Sequence, residues 1–256
     1  MSKVLTISGP TGGSGKSVTA LNLSVSLGLY EKKVLLVDCD PQGCVSEWSG
    51  VNTTDYPFDL ASVLNGKASL MEAISKTEFN NLDILPAGLS LFGVSLKLSR
   101  LATNEKILRL LMEEIQMDYD FILLDCPSSY GFLSIAAQTA SDWLVAALVP
   151  RPNWIKDFYA LLKSIQYIRH THDTPLKIAG ILFNRCDATK DFQIGLSHQN
   201  LSDTRDLVYA TMIPGDRAVE KAIDQKNPLA LYDIKSPAAQ AYLALAREII
   251  SGPNPK

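Results

Sequence analysis

The sequence predicts a single α/β domain built on a mostly parallel, twisted sheet with helices on both faces. Three observations carry that expectation. Short apolar, β-rich runs alternate with longer helical stretches; no repeat, low-complexity tract or linker interrupts the alternation; and several of the runs end in a polar or charged residue. In open α/β sheets the carboxyl ends of the strands line the ligand crevice, so these polar ends are expected to converge on one site. The predicted strands are Val4–Ser8, Val34–Asp38, Leu82–Leu85, Phe121–Asp125, Trp143–Val149, Lys177–Phe183 and Val208–Ile213. The predicted helices are Ser17–Leu29, Glu105–Gln116, Ser129–Thr139, Lys156–His170, Ala218–Ile223 and Pro237–Ile250. Residues 1–250 are expected to form the domain, and residues 251–256 a flexible tail whose glycine and two prolines cannot extend the last helix.

With 256 residues, 46% of them hydrophobic, the chain can bury a large core, which excludes disorder and coiled coil. The net charge of −3, from 24 basic and 27 acidic residues, gives no composition-level reason to expect a polyanion partner. From Ile181 onward there are nine of each sign, so nucleic-acid binding would need a local patch made by folding. The four cysteines, Cys39, Cys44, Cys126 and Cys186, form no C-x-x-C pair, and Cys39 and Cys126 lie in apolar runs. They read as small core hydrophobes rather than metal ligands or disulfide partners, which favours the cytoplasm. One lysine and a short apolar run ending at Gly9-Pro10 do not make a signal peptide. No apolar run approaches the roughly 20 residues of a membrane span. His170 and His172 fall at a helix end and His198 in a polar loop, positions that suit surface roles.

The strand Val4–Ser8 runs into Gly9-Pro10-Thr11-Gly12-Gly13-Ser14-Gly15-Lys16-Ser17 and then a helix start. That succession of strand, glycine-rich turn and helix is what a phosphate-binding loop requires. Gly12, Gly13 and Gly15 let backbone N–H groups turn inward as a nest for phosphate oxygens, with Thr11, Ser14 and Val18 completing the cradle and the helix dipole adding positive potential. Lys16 is placed to reach the β- and γ-phosphates, and the Ser17 hydroxyl to bind Mg²⁺. The general pattern has glycine where Pro10 stands, so the loop matches a variant.

With these residues in view, the chain resembles the ParA/MinD family, whose variant loop reads K-G-G-x-G-K-[ST] against Thr11 to Ser17 here. Asn22-Leu23 follows at the family's spacing, Lys33 to Gly43 is similar to its second motif, and Tyr119 to Pro127 to its Walker B segment. Phe183-Asn184-Arg185 and Ile213-Pro214 resemble the adenine-contacting segments, and Tyr232-Asp233 with Ala238-Ala239 the C-terminal ending. The resemblance implies a Mg²⁺-dependent ATPase that hydrolyses ATP to ADP and phosphate, chiefly by positioning groups and neutralising charge. Lys16, Asp40 and Asp38 are then the catalytic candidates, Asp40 orienting the water. Asp38 and Asp125 join Ser17 in holding Mg²⁺, directly or through its waters, unless one of them only caps a strand end. Asn184 has a donor and an acceptor for a base edge, although a loop-stabilising role suits it as well, and Pro214, Gly215 and Asp216 would flank the base through backbone.

One position departs from the pattern. The family's loop begins with a lysine that reaches the other subunit's phosphates across an ATP-bound homodimer, and here that residue is Thr11. Lys156, after the strand Trp143–Val149, is the candidate replacement, with Arg151 a weaker one. A branch of the family that positions carboxysomes also lacks the lysine and is understood to use one from its C-terminal half. The resemblance therefore implies cargo positioning on the nucleoid, with carboxysomes first and plasmid or chromosome partition of the ParA/Soj kind as the alternative. It also implies a small adaptor, McdB-like or ParB-like, that stimulates hydrolysis, and non-specific DNA binding through Arg185, Lys190, Arg217, Lys221 and Lys226, with Lys235 and Arg247 as outliers. Each of these alone reads as a solvated charge. Ala238 to Ile250 carries only Arg247 against Glu248, so no membrane-docking helix is expected. A P-loop synthetase such as dethiobiotin synthetase fits less well, because the Asp-Pro-Gln-Gly run at Asp40 to Gly43 argues against it.

Overall fold

The computed structural model describes residues 2–51, 56–101, 104–152, 154–186 and 205–252. Among these residues the strands are β1 (Lys3–Ser8), β2 (Val34–Asp38), β3 (Ser75–Lys76), β4 (Leu82–Leu85), β5 (Phe121–Asp125), β6 (Trp143–Leu148), β7 (Lys177–Cys186) and β8 (Ile213–Pro214). They form one sheet in the order β3-β4-β2-β5-β1-β6-β7-β8, parallel throughout except for the two-residue β3. The helices are α1 (Lys16–Leu29), α2 (Cys44–Trp48), α3 (Leu60–Leu64), α4 (Leu70–Ala73), α5 (Ser90–Leu98), α6 (Ile107–Ile115), α7 (Phe132–Ala140), α8 (Trp154–His172), α9 (Arg217–Asp224), α10 (Leu229–Tyr232) and α11 (Pro237–Ser251).

Strand periodicity sorts the central residues between two cores. Val34 and Leu36 of β2, with Phe121 and Leu123 of β5, pack with Leu21 and Leu23 of α1 and Tyr242 and Leu245 of α11. Leu35, Val37, Ile122 and Leu124 face the other way, into a core shared with α3 to α7. A third cluster seats Trp154 and Phe158 of α8 on β6 and β7, with Trp154 edge-on to Phe183 at a centroid distance of 4.9 Å. The same alternation puts Asp38 and Asp125 on the α1 face, and they are register partners across β2 and β5. The two carboxylates are therefore neighbours by strand pairing, beside the start of α1.

The six predicted helices are present with shifted ends, and all the predicted strands but the last are strands throughout or nearly so. Val208–Ile213 is corrected. Val208 makes an isolated bridge to Ile181 after a 3-10 turn at Arg205–Leu207, and only Ile213 and Pro214 form β8. The intervening amides of Ala210 and Thr211 donate to the Glu248 carboxylate at 3.1 and 2.9 Å, so they are withdrawn from the sheet. The helix expected from Ser129 begins at Phe132, because the preceding loop is tied back by Ser134, whose hydroxyl donates to Pro127 O at 3.2 Å and to Ser129 O at 2.5 Å. Glu105 and Lys106 belong to a 3-10 turn ahead of α6. The last helix runs through Ser251, and residues 253–256 of the expected tail lie outside the described residues. Cys39, Cys126 and Cys186 are buried, as expected of small core residues, while Cys44 is half-buried.

Candidate nucleotide site

The loop between β1 and α1 is built on left-handed glycines, with φ of 75° at Gly13 and 84° at Gly15, the residue that precedes the first turn of α1. No side chain caps that helix start, which leaves its first amides for a ligand. Asn184 braces the loop from β7: its Nδ2 donates to Ser14 O at 2.8 Å, and its Oδ1 accepts from the Thr19 hydroxyl at 3.4 Å. A Cβ at Gly15 would lie 2.9 Å from that same Nδ2. Gly15→Ala is thus expected to combine a strained φ with a lost brace and to lower stability by about 1–3 kcal/mol in urea unfolding. A change under about 0.5 kcal/mol would reject the brace.

Lys16 is buried at the head of α1, and its ammonium donates to Thr11 O and Ser128 Oγ, both at 3.0 Å. Burial lowers its pKa, while the charge of Asp125 leads the contributions that raise it. Asp125 is fully buried, and neither carboxylate oxygen has a hydrogen bond of normal geometry. Burial, and then the nearby Asp38, raises its pKa well above the ordinary carboxylate range; the Ser17 hydroxyl and Lys16 pull in the other direction. An orphaned carboxylate beside a hydroxyl and an ammonium is unstable alone and suited to a hard cation. Among the described residues no three His, Cys, Asp or Glu side chains come together as a metal-binding group.

Asp38 differs from its partner. Its oxygens accept from Asp40 N at 3.0 Å, Ser46 N at 2.9 Å and Ser46 Oγ at 2.7 Å, and burial raises its pKa to about 6. These bonds favour a water-mediated role over direct ligation. Asp40 is half-buried at the head of a tight turn, its Oδ1 accepting from Gln42 N at 2.9 Å. Gly43 closes that turn with φ of 66°, and a Cβ there would meet Ala87 O at 2.8 Å. The Ala87 amide in turn donates to Ser46 Oγ at 2.9 Å, locking the loop after β4 to the turn.

Next to the loop lies a cavity of about 300 Å³ lined by Gly15, Val18, Asn184, Pro214, Gly215 and Tyr242, among others. Val18 and the Pro214–Asp216 segment thus face the same space, and the Asp216 carboxylate is consumed by capping, accepting from Ala218 N at 2.8 Å and Ala238 N at 3.2 Å. The Asn184 amide is engaged by the loop, which puts weight on its loop-stabilising role.

Lys156 is exposed in the first turn of α8, after the carboxyl end of β6, and no ion pair among the described residues engages it. Asp157 acts electrostatically on Tyr130, whose pKa rises first through burial and then through that charge, so the loop after β5 lies beside the start of α8. Arg151 is exposed as well. Of the basic residues expected to meet DNA, Arg185 and Arg217 line the cavity, Lys221 is exposed on α9, and Lys226 pairs with Glu47 at 3.2 Å. Lys190 lies outside the described residues. Arg247 is held by Tyr30, its Nε 2.5 Å from the hydroxyl, so this outlier is part of the packing. Sequence reasoning missed Ser46, Ser128 and Thr19. Ser46 sits on a five-residue helix too short to show a period, and nothing in the spacing marks a bond from Lys16 to a residue 112 positions away.

A parallel sheet with a glycine nest between its central strand and first helix, and two buried aspartates at the ends of neighbouring strands, defines a P-loop nucleotide-binding protein. A family model described as an AAA domain matches residues 2–178, and the chromosome partitioning protein ParA of Caulobacter vibrioides is 36% identical over 255 residues, 97% of this chain and 94% of that protein. The chain belongs to the ParA/MinD family of P-loop ATPases. Among solved structures, the septum site-determining protein MinD of Pyrococcus horikoshii, complexed with Mg-ADP, is 26% identical with a TM-score of 0.80, covering 98% of each chain. McdA of Cyanothece has a TM-score of 0.85 at 19% identity, covering 98% of this chain and 100% of that one, and at such identity the likeness is one of fold.

Proposed function

We propose that this chain is a Mg²⁺-dependent ATPase that forms a homodimer around ATP and, in that state, binds DNA non-specifically to position a cargo on the nucleoid. The observation that carries the reading is the meeting of Lys16, Ser17 and the orphaned Asp125 at the carboxyl ends of β1 and β5. Lys16 and the Gly12–Val18 amides hold the phosphates, and Asn184 fixes the loop that presents them. Ser17 and Asp125 would hold Mg²⁺, with Asp38 acting through a water, and the cation would supply neutralisation of the phosphate charge. Asp40, set by its turn, orients the attacking water. The ATPase works in the cytoplasm, and a small adaptor stimulates it.

ParA relatives at 36% identity favour partition, whereas carboxysome positioning rests on Thr11, Lys156 and a likeness of fold. We therefore place chromosome or plasmid partition first and carboxysomes second. DNA contact falls to Lys221, with Arg185 and Arg217 at the cavity rim and Lys190 unassigned. Lys226 contributes less because Glu47 already screens it.

Lys156→Ala is expected to abolish ATP-dependent dimerisation in light scattering while leaving nucleotide binding unchanged. Undiminished dimerisation would remove Lys156 from the interface and leave Thr11 without a substitute. Phosphate release measured with and without DNA tests the ATPase itself, since a synthetase would ignore DNA.

A further inference from the structure

We infer that Ser128 is a positioning residue for Lys16, fixing the direction of its ammonium and tying it to the loop between β5 and α7. An ammonium has three N–H donors and no acceptor. Two of the three are claimed by Thr11 O and Ser128 Oγ, at 3.0 Å each. Those acceptors come from two separate segments, one from the phosphate loop and one from the segment after Asp125, so the ammonium is held at two points and one donor is left for a ligand. A flexible four-carbon stem must be aimed before it can stabilise charge that develops on a phosphoryl group, and a group already aimed needs no reorganisation at that moment.

Ser128 is exposed and far in sequence from Lys16, yet it lies directly over the phosphate loop: a Cβ at Gly12 would be 3.9 Å from its Oγ. Its own position is set from behind. The buried Ser134 hydroxyl ties Pro127 and Ser129, the residues on either side, to the first turn of α7. Ser128 is thus the point at which the lysine and a braced loop meet.

The inference rests on the ATPase reading, and kinetics of the full-length chain separate the two. Ser128→Ala is expected to lower kcat for phosphate release by about three- to tenfold, the equivalent of one modest hydrogen bond, with KM for ATP changed less than about twofold. Ser128→Thr retains the hydroxyl and should restore kcat, and the melting temperature of both variants should match wild type. Wild-type turnover with unchanged kcat in Ser128→Ala, or failure of the threonine variant to restore it, overturns the role of Ser128 alone. Absence of ATP turnover in the wild-type chain overturns both readings.

Discussion

Replacing Lys16 with alanine should reduce ATP turnover by about 10²–10³-fold, the effect of removing one preorganised charge donor from a developing anion. The lysine is buried and depressed in pKa by that burial, yet three carbonyl, hydroxyl and carboxylate groups, Thr11 O, Ser128 Oγ and Asp125, keep it where an ammonium is useful. Alanine removes the charge and leaves Asp125 with one fewer cation to offset it. The check is steady-state phosphate release together with titration of a fluorescent ATP analogue. Turnover within about threefold of wild type would contradict the assignment, because no other cation among the described residues contacts the loop so directly.

The second large effect concerns Asp125. Asp125→Asn should lower Mg²⁺-dependent turnover by about 10²-fold or more, since a metal at the transferring phosphoryl group supplies several kcal/mol of charge stabilisation. The same substitution should raise the stability of the protein measured without nucleotide at neutral pH, because the amide keeps the polar atoms but carries no charge to desolvate. Linkage gives a further check. Both Asp38 and Asp125 have folded pKa values above the ordinary carboxylate value, Asp38 at about 6 and Asp125 well above that range. A carboxylate raised by folding contributes stability that is fully present below its unfolded pKa and is lost as pH rises through the folded one. Without nucleotide, the carboxylate contribution should therefore decline from about pH 4 through about pH 6 and beyond, and the decline should be shallower in Asp125→Asn. Thermal melts across that range, with and without Mg²⁺ and ATP, measure it. Loss of activity together with loss of stability would mean that Asp125 is structural.

Much of the fold was legible because its signals are local. Runs such as Val34–Asp38 and Phe121–Asp125 are apolar up to their terminal aspartate, as strands buried on both faces must be, and both were placed to the residue. Val208–Ile213 failed for the opposite reason: two of its amides are claimed by Glu248, a carboxylate from a helix 37 and 38 residues away. The short helices after β2 were invisible because four or five residues hold no helical period, and with them went Ser46, the partner of Asp38.

The sequence by itself determined the phosphate loop, since Gly12 to Ser17 encodes a backbone nest through residue types that act within a few positions of one another. It also determined the departure at Thr11. Only the tertiary structure decided how the surroundings of the two buried aspartates differ: Asp38 and Asp125 end adjacent strands with the same chemistry, but Ser46 gives one close hydrogen bonds from its amide and hydroxyl, while the other has only the weaker pull of Ser17 and Lys16. It likewise decided that Asn184 braces the loop, that Arg185 and Arg217 rim the cavity, and that Ser128 meets Lys16. Hydrogen-bond satisfaction in a buried site depends on which distant groups arrive there, and strand pairing, rather than sequence spacing, brings them together.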